Sequence, residues 1–226
     1  MIPRAQFNTL IIELKTYVSS STTLSANDQQ IIQSCIENIL SAQNTSWLEQ
    51  LKRLALQRRP EASYLIGLSI LTGMYQIHDK LNEFSSRQLA LWYLDDAAFN
   101  GIVLAPRFLY QFHQTDPTKL PDEIQLLFYK YLAALFGDET CRKDIARYFI
   151  DNHKLIDQLR LYNPGHPVGQ TFLYQLPTKP QELKALGLKW LKEESLTPFV
   201  PTTEFVALSN LPIVQSKPSI LSRGED

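Results

Sequence analysis

Apolar residues recur at steps of three and four along the first two thirds of the chain. Phe7, Leu10, Ile11, Leu14, Tyr17 and Val18 share one face of a helix predicted over residues 6–18. Residues 19–23, all Ser or Thr, break that pattern, and Ser25 or Asn27 can cap the next helix, with Asp28 favouring its positive end. Ile31, Ile32, Cys35, Ile36, Ile39 and Leu40 then form a second face, and Trp47, Leu48, Leu51, Leu54 and Ala55 a third over residues 47–57. Arg58-Arg59-Pro60 opens a new unit, because proline suits a first helical turn, where its missing N–H costs nothing. Further helices are predicted over 62–71, 87–100, 105–114, 122–136, 140–151, 152–162 and 181–194. Asn163-Pro164-Gly165-His166-Pro167 interrupts the helical pattern before the last of these.

The helices echo one another. Tyr93, Ala97, Ala98 and Gly101 return 36 residues later as Tyr129, Ala133, Ala134 and Gly137, and Ala105 and Leu109 are answered by Cys141 and Ile145. A period in this range marks an array of helix pairs. Gly67 sits mid-helix, where glycine costs about 1 kcal/mol against alanine, so a second helix is expected to cross there at close range. Ala97 and Ala98 thin the partner helix, and Gly101 permits a reversal into Ala105.

Read from Ala62, the unit runs Ala62, Ile66-Gly67, Ile70, Gly73 and Asp79, then Ala90, Tyr93, Ala97-Ala98-Phe99-Asn100-Gly101. It resembles the Sel1-like repeat family, a relative of the tetratricopeptide repeats. That family's unit is Ala-x-x-x-Leu-Gly-x-x-Tyr-x-x-Gly-x-Gly-Val-x-x-Asp, then Ala-x-x-Tyr/Trp-x-x-x-Ala-Ala-x-x-Gly. Ile70 replaces the usual tyrosine, Tyr75-Gln76 replaces Gly-Val, and the interval from Asp79 to Tyr93 is longer than the family's. The second unit has Tyr110 in the glycine position and Asp116-Pro117 in the loop, while the third keeps Cys141, Ile145, Ala146 and Phe149. The resemblance is best over residues 62–105, weaker to 152 and absent elsewhere. It implies an all-α fold, a short right-handed solenoid of helix-turn-helix repeats with flanking helices. Family members serve mostly as non-enzymatic scaffolds and adaptors, so the implied partners are other protein subunits, with an accessory role in a bacterial secretion or envelope assembly as one form of this. By the same analogy the first helix of each pair lines the concave face, with Tyr64, Leu68, Arg107 and Phe108 as exposed partner-binding candidates.

The expected organisation is capping helices over 1–57, repeats over 58–162, a linker and helix over 163–195 and an extended arm over 196–226. Pro198, Pro201, Pro212 and Pro218 exclude a long helix from the arm. Its Phe199, Phe205, Leu208, Leu211 and Ile213 are too apolar for an inert tail, so the arm is expected to lie in a groove of this chain or of a partner.

Composition adds bounds. With 44% hydrophobic residues and a net charge of −1, the chain has ample core and no global pull toward nucleic acid or anionic membranes. No secretory signal and no run of about 18 apolar residues is found, and Cys35 and Cys141 are not in metal-like spacing, so a reducing cytoplasm with free thiols is expected. His78, His113, His153 and His166 form no paired metal motif, and no glycine-rich phosphate loop occurs. No catalytic, cofactor-binding or metal-ligating residue is assigned, and no small-molecule substrate is expected. Cys141 reads as a packed thiol, Asp95-Asp96 as a solvated face, and Trp47, Trp92 and Trp190 as core. Alternatives are a small enzyme with scattered catalytic groups near His113 or Cys141, and an RNA-binding repeat protein using Lys52, Arg53, Arg58 and Arg59.

Overall fold

In the computed structural model, residues 2–41, 46–74, 83–115, 122–165 and 167–192 are described. These residues form eleven α-helices and no strand. They are α1 (Arg4–Ser20), α2 (Ala26–Ser41), α3 (Ser46–Leu56), α4 (Pro60–Leu71), α5 (Glu83–Phe99), α6 (Leu104–Thr115), α7 (Glu123–Leu135), α8 (Glu139–Asp151), α9 (His153–Leu161), α10 (Pro167–Tyr174) and α11 (Pro180–Lys192). The described residues are all-α, the class expected from the sequence.

Local chemistry sets the helix boundaries. Ser25 Oγ accepts from the Asp28 N–H at 3.1 Å, so Ser25 rather than Asn27 caps α2. Asp122 caps α7 through the N–H groups of Ile124 and Gln125, Asp138 caps α8 through Cys141, and Asn152 caps α9 through Leu155. Pro60 stands in the first turn of α4, as its missing N–H favours.

Each helix from α1 to α8 packs on its successor, and one apolar core runs through them. The most intimate contact is α4 on α5. A Cβ placed on Gly67 would lie 2.7 Å from Leu94 Cγ and 2.9 Å from the Ala90 carbonyl oxygen, so the close crossing expected at this glycine is present. The residues of the 36-residue echo share environments. Ala97, Ala98, Ala133 and Ala134 are fully buried, and Gly101 and Gly137 both have φ of 100°. Both glycines close the same turn. The Gly101 N–H donates to Ala98 and the Ile102 N–H to Ala97, just as Gly137 donates to Ala134 and Asp138 to Ala133.

The turn occurs a third time, at the end of α3. Arg58 donates to Ala55 and Arg59 to Leu54, with Arg58 in the glycine position at φ 61°. Leu54, Ala55, Arg58, Ala62, Ile66 and Gly67 thus match Ala97, Ala98, Gly101, Ala105, Leu109 and Tyr110, 43 residues on. This copy, one helix before the expected start of the repeats, is hidden in the sequence because an arginine occupies the left-handed position that glycine favours.

The partner of α8 is also unexpected. α8 packs more extensively on α11, which the sequence places beyond the repeats, than on α9, which follows it directly. A Cβ on Gly187 of α11 would lie 2.6 Å from the Ala146 carbonyl oxygen, so this pair crosses closely as α4 and α5 do. α9 and α10 are therefore inserted within a helix pair. α10 was not foreseen, since its eight residues between a proline-rich break and Leu176 are too few to show a period. Its Val168, Phe172 and Leu173 are buried, with Phe172 edge-on to Phe136.

Candidate interaction surface

Of the four candidates on the first helices, three are corrected. Tyr64 and Leu68 are fully buried and Phe108 nearly so. The reason is that α3 and α5 cover α4 on two sides and α1 packs against it as well, with Phe7, Ile11, Leu14 and Val18 in the core, so every residue from Glu61 to Leu71 is buried. The Tyr64 ring meets Phe108 edge to face at 6.4 Å, and its hydroxyl has no hydrogen-bond partner among the described residues. Burial, with the nearby Glu13 carboxylate, raises its pKa well above the usual phenol value.

Arg107 remains partly accessible. Its Nη2 donates to Glu13 Oε2 at 2.5 Å, and Nη1 lies 3.9 Å from Asp138 Oδ2. This ion pair ties α1 to α6 at one end of a groove of about 360 Å³. Gln6, Thr9, Leu10 and Glu13 of α1 form one wall, and Leu104, Arg107, Phe108 and Gln111 of α6 the other. The arm candidates Phe199, Phe205, Leu208, Leu211 and Ile213 lie outside the described residues.

The tryptophans divide. Trp47 and Trp190 are 4% and 6% exposed, as expected of core residues, whereas Trp92 is 47% exposed. Trp92 stands on the outer side of α5 with its ring edge-on to Tyr93, centroids 5.1 Å apart. The period of α5 did not separate these cases, because Leu89, Leu91, Trp92, Tyr93 and Leu94 run almost unbroken along it.

Asp95 and Asp96 are not a solvated face. They diverge as adjacent helical residues must, but each finds a partner. Asp96 accepts from Ser63 Oγ of α4 at 2.7 Å, and Asp95 accepts from the Tyr129 hydroxyl of α7 at 2.6 Å. Burial holds the Asp95 carboxyl up at about 7, against the lowering effect of that hydrogen bond. The His113 ring stacks on Tyr129, with planes 4° apart and centroids at 5.5 Å.

The basic cluster is partly consumed within the chain. Arg59 pairs with Asp28 at 2.7 Å and Lys52 with Glu49 at 2.9 Å. Beside Arg59, Glu61 is buried, and burial raises its carboxyl pKa. Both thiols are buried. Burial pushes Cys35 up to about 11, and burial with the adjacent Asp138 carboxylate pushes Cys141 up to about 12, which disfavours the nucleophilic thiolate. Among the described residues no group of His, Cys, Asp and Glu is arranged to hold a metal ion, and no helix is long and apolar enough to cross a membrane.

Comparison with protein-family models, with curated proteins and with solved structures finds no match to this chain.

Proposed function

We propose that this chain is a non-enzymatic adaptor that holds other protein subunits on a short right-handed stack of Sel1-like helix pairs. The single observation that carries the reading is Trp92. A large aromatic left nearly half exposed on a helix whose other face is packed is the type of residue that anchors protein interfaces. The thrice-repeated turn at α3, α5 and α7 supports the architecture, because units of this kind bury their faces by stacking and leave extended surfaces for partners. The α4–α5 and α8–α11 crossings support it further, since each is thinned by a glycine.

The test is capture of a stoichiometric partner by tagged full-length chain, by Trp92→Ala and by a chain ending at Ser195. Trp92→Ala is expected to reduce capture by roughly thirtyfold, corresponding to a hot-spot loss of about 2 kcal/mol. Equal capture by Trp92→Ala would sink Trp92 as the anchor. Loss of the partner on truncation would place the arm in the interface as well.

A further inference from the structure

The groove between α1 and α6 is built like a helix interface that does not close. Gln6, Thr9, Leu10 and Glu13 are spaced as one stripe of a helix, and Leu104, Arg107, Phe108 and Gln111 repeat that spacing on α6. Two such stripes ordinarily interlock. Here they stand apart and are bridged by Glu13 and Arg107, leaving about 360 Å³ between them. That volume is at the low end of ligand-sized clefts, about 300–1,000 Å³. It has room for a few side chains of a segment.

The lining specifies the segment. Leu104 and Phe108 are buried beneath it and Leu10 is half-buried, so the floor is apolar. Gln6, Thr9 and Gln111 form an exposed, uncharged rim. Where α1 and α6 are tied, the single guanidinium of Arg107 lies 2.5 Å from the carboxylate of Glu13, which also lines the groove, and 3.9 Å from that of Asp138 behind it. Asp138 turns its other oxygen to cap α8, accepting from Cys141 N–H at 2.8 Å. One cation between two anions leaves an excess of negative charge, which a cationic side chain complements. An acidic segment would meet that excess and would have to displace Glu13 from Arg107.

We infer that the α1–α6 groove seats a short segment of a partner protein, with an apolar side chain on Leu10, Leu104 and Phe108 and a lysine or arginine beside Glu13. This rests on the reading of the chain as a protein-binding one, and it names a surface distinct from Trp92.

Short random peptides displayed on phage and panned against the full chain test it. The enriched peptides are expected to pair a basic with an apolar residue. Their binding is expected to fall roughly tenfold or more with Thr9→Trp, which fills the groove from its exposed rim, and to fall with Glu13→Gln. Gln111→Trp fills the groove from the opposite wall and serves if Thr9→Trp lowers the melting temperature. Tyr174→Ala, at an exposed residue outside both surfaces, should leave peptide binding unchanged. No enrichment, an acidic consensus, or binding indifferent to both tryptophan variants would overturn the inference. So would much tighter peptide binding by a chain ending at Ser195, because the groove would then belong to this chain's own C-terminal segment. If Trp92→Ala abolishes partner capture while the groove variants bind every peptide normally, the adaptor reading stands and the groove falls. The opposite pattern removes Trp92 as the anchor and keeps the groove.

Discussion

Asp95 is the residue where chemistry and packing conflict most openly. Its carboxyl is held at about 7 in the folded chain, whereas an unfolded aspartate titrates near ~3.9. A group raised in this way contributes stability that is fully present below its unfolded pKa and is lost as pH rises through its folded one. Stability is therefore expected to decline as pH rises from about 4 to about 7, with a limiting slope for this one proton of about 1.4 kcal/mol per pH unit. Asp95→Asn keeps an acceptor for the Tyr129 hydroxyl and removes the proton. Urea unfolding at several pH values should show a flatter profile for the variant, and an unchanged profile would count against the assignment. Glu61, also raised by burial, adds to the slope in the same direction and remains in both proteins. Tyr64 offers a second check. Its hydroxyl is buried without a hydrogen-bond partner among the described residues, and such a group costs about 1–3 kcal/mol to desolvate. Tyr64→Phe keeps the ring on Phe108 and should be neutral or stabilising by up to about 1 kcal/mol; a clear loss in a thermal melt would show that the hydroxyl is satisfied in solution.

At the scale of elements, small residues determine how closely helices pair. Alanine normally improves on glycine inside a helix by about 1 kcal/mol, but at Gly67 its methyl would collide with Leu94 and with backbone at Ala90, and at Gly187 with backbone at Ala146. Overpacking of this kind costs about 1–3 kcal/mol. Gly67→Ala and Gly187→Ala should therefore each lower stability in chemical denaturation despite their better helix propensity. A gain in stability for Gly187→Ala would mean that α11 does not cross α8 as closely as described. Most helices were legible from their apolar faces, and the turns at Gly101 and Gly137 from their glycines. The equivalent turn at Arg58 was not legible, because its residue type opposes its conformation. Nor was the pairing of α8 with α11, since apolar spacing within a helix states which face is buried and not which distant helix buries it.

For the whole molecule, the sequence conveys the all-α class of the described residues better than the surface they present. Tyr64, Leu68 and Phe108 were expected to face a partner, but the chain's own packing buries them, with α3, α5 and α1 packed on α4. No local pattern predicts where an N-terminal helix will dock. Trp92 shows the reverse failure, since nothing in the crowded apolar run of α5 marks the one tryptophan that faces outward. The account assigns partner binding to that outward face and to the groove beside α1. Its central claim is that Trp92 touches another protein when the chain is at work. The most direct measurement is cellular photocrosslinking with a photoreactive phenylalanine analogue at position 92, with the same analogue at buried position 47 as the control. The account predicts one discrete protein adduct from position 92 and none from position 47. Absence of any adduct from position 92, or the same adduct from both positions, would contradict it.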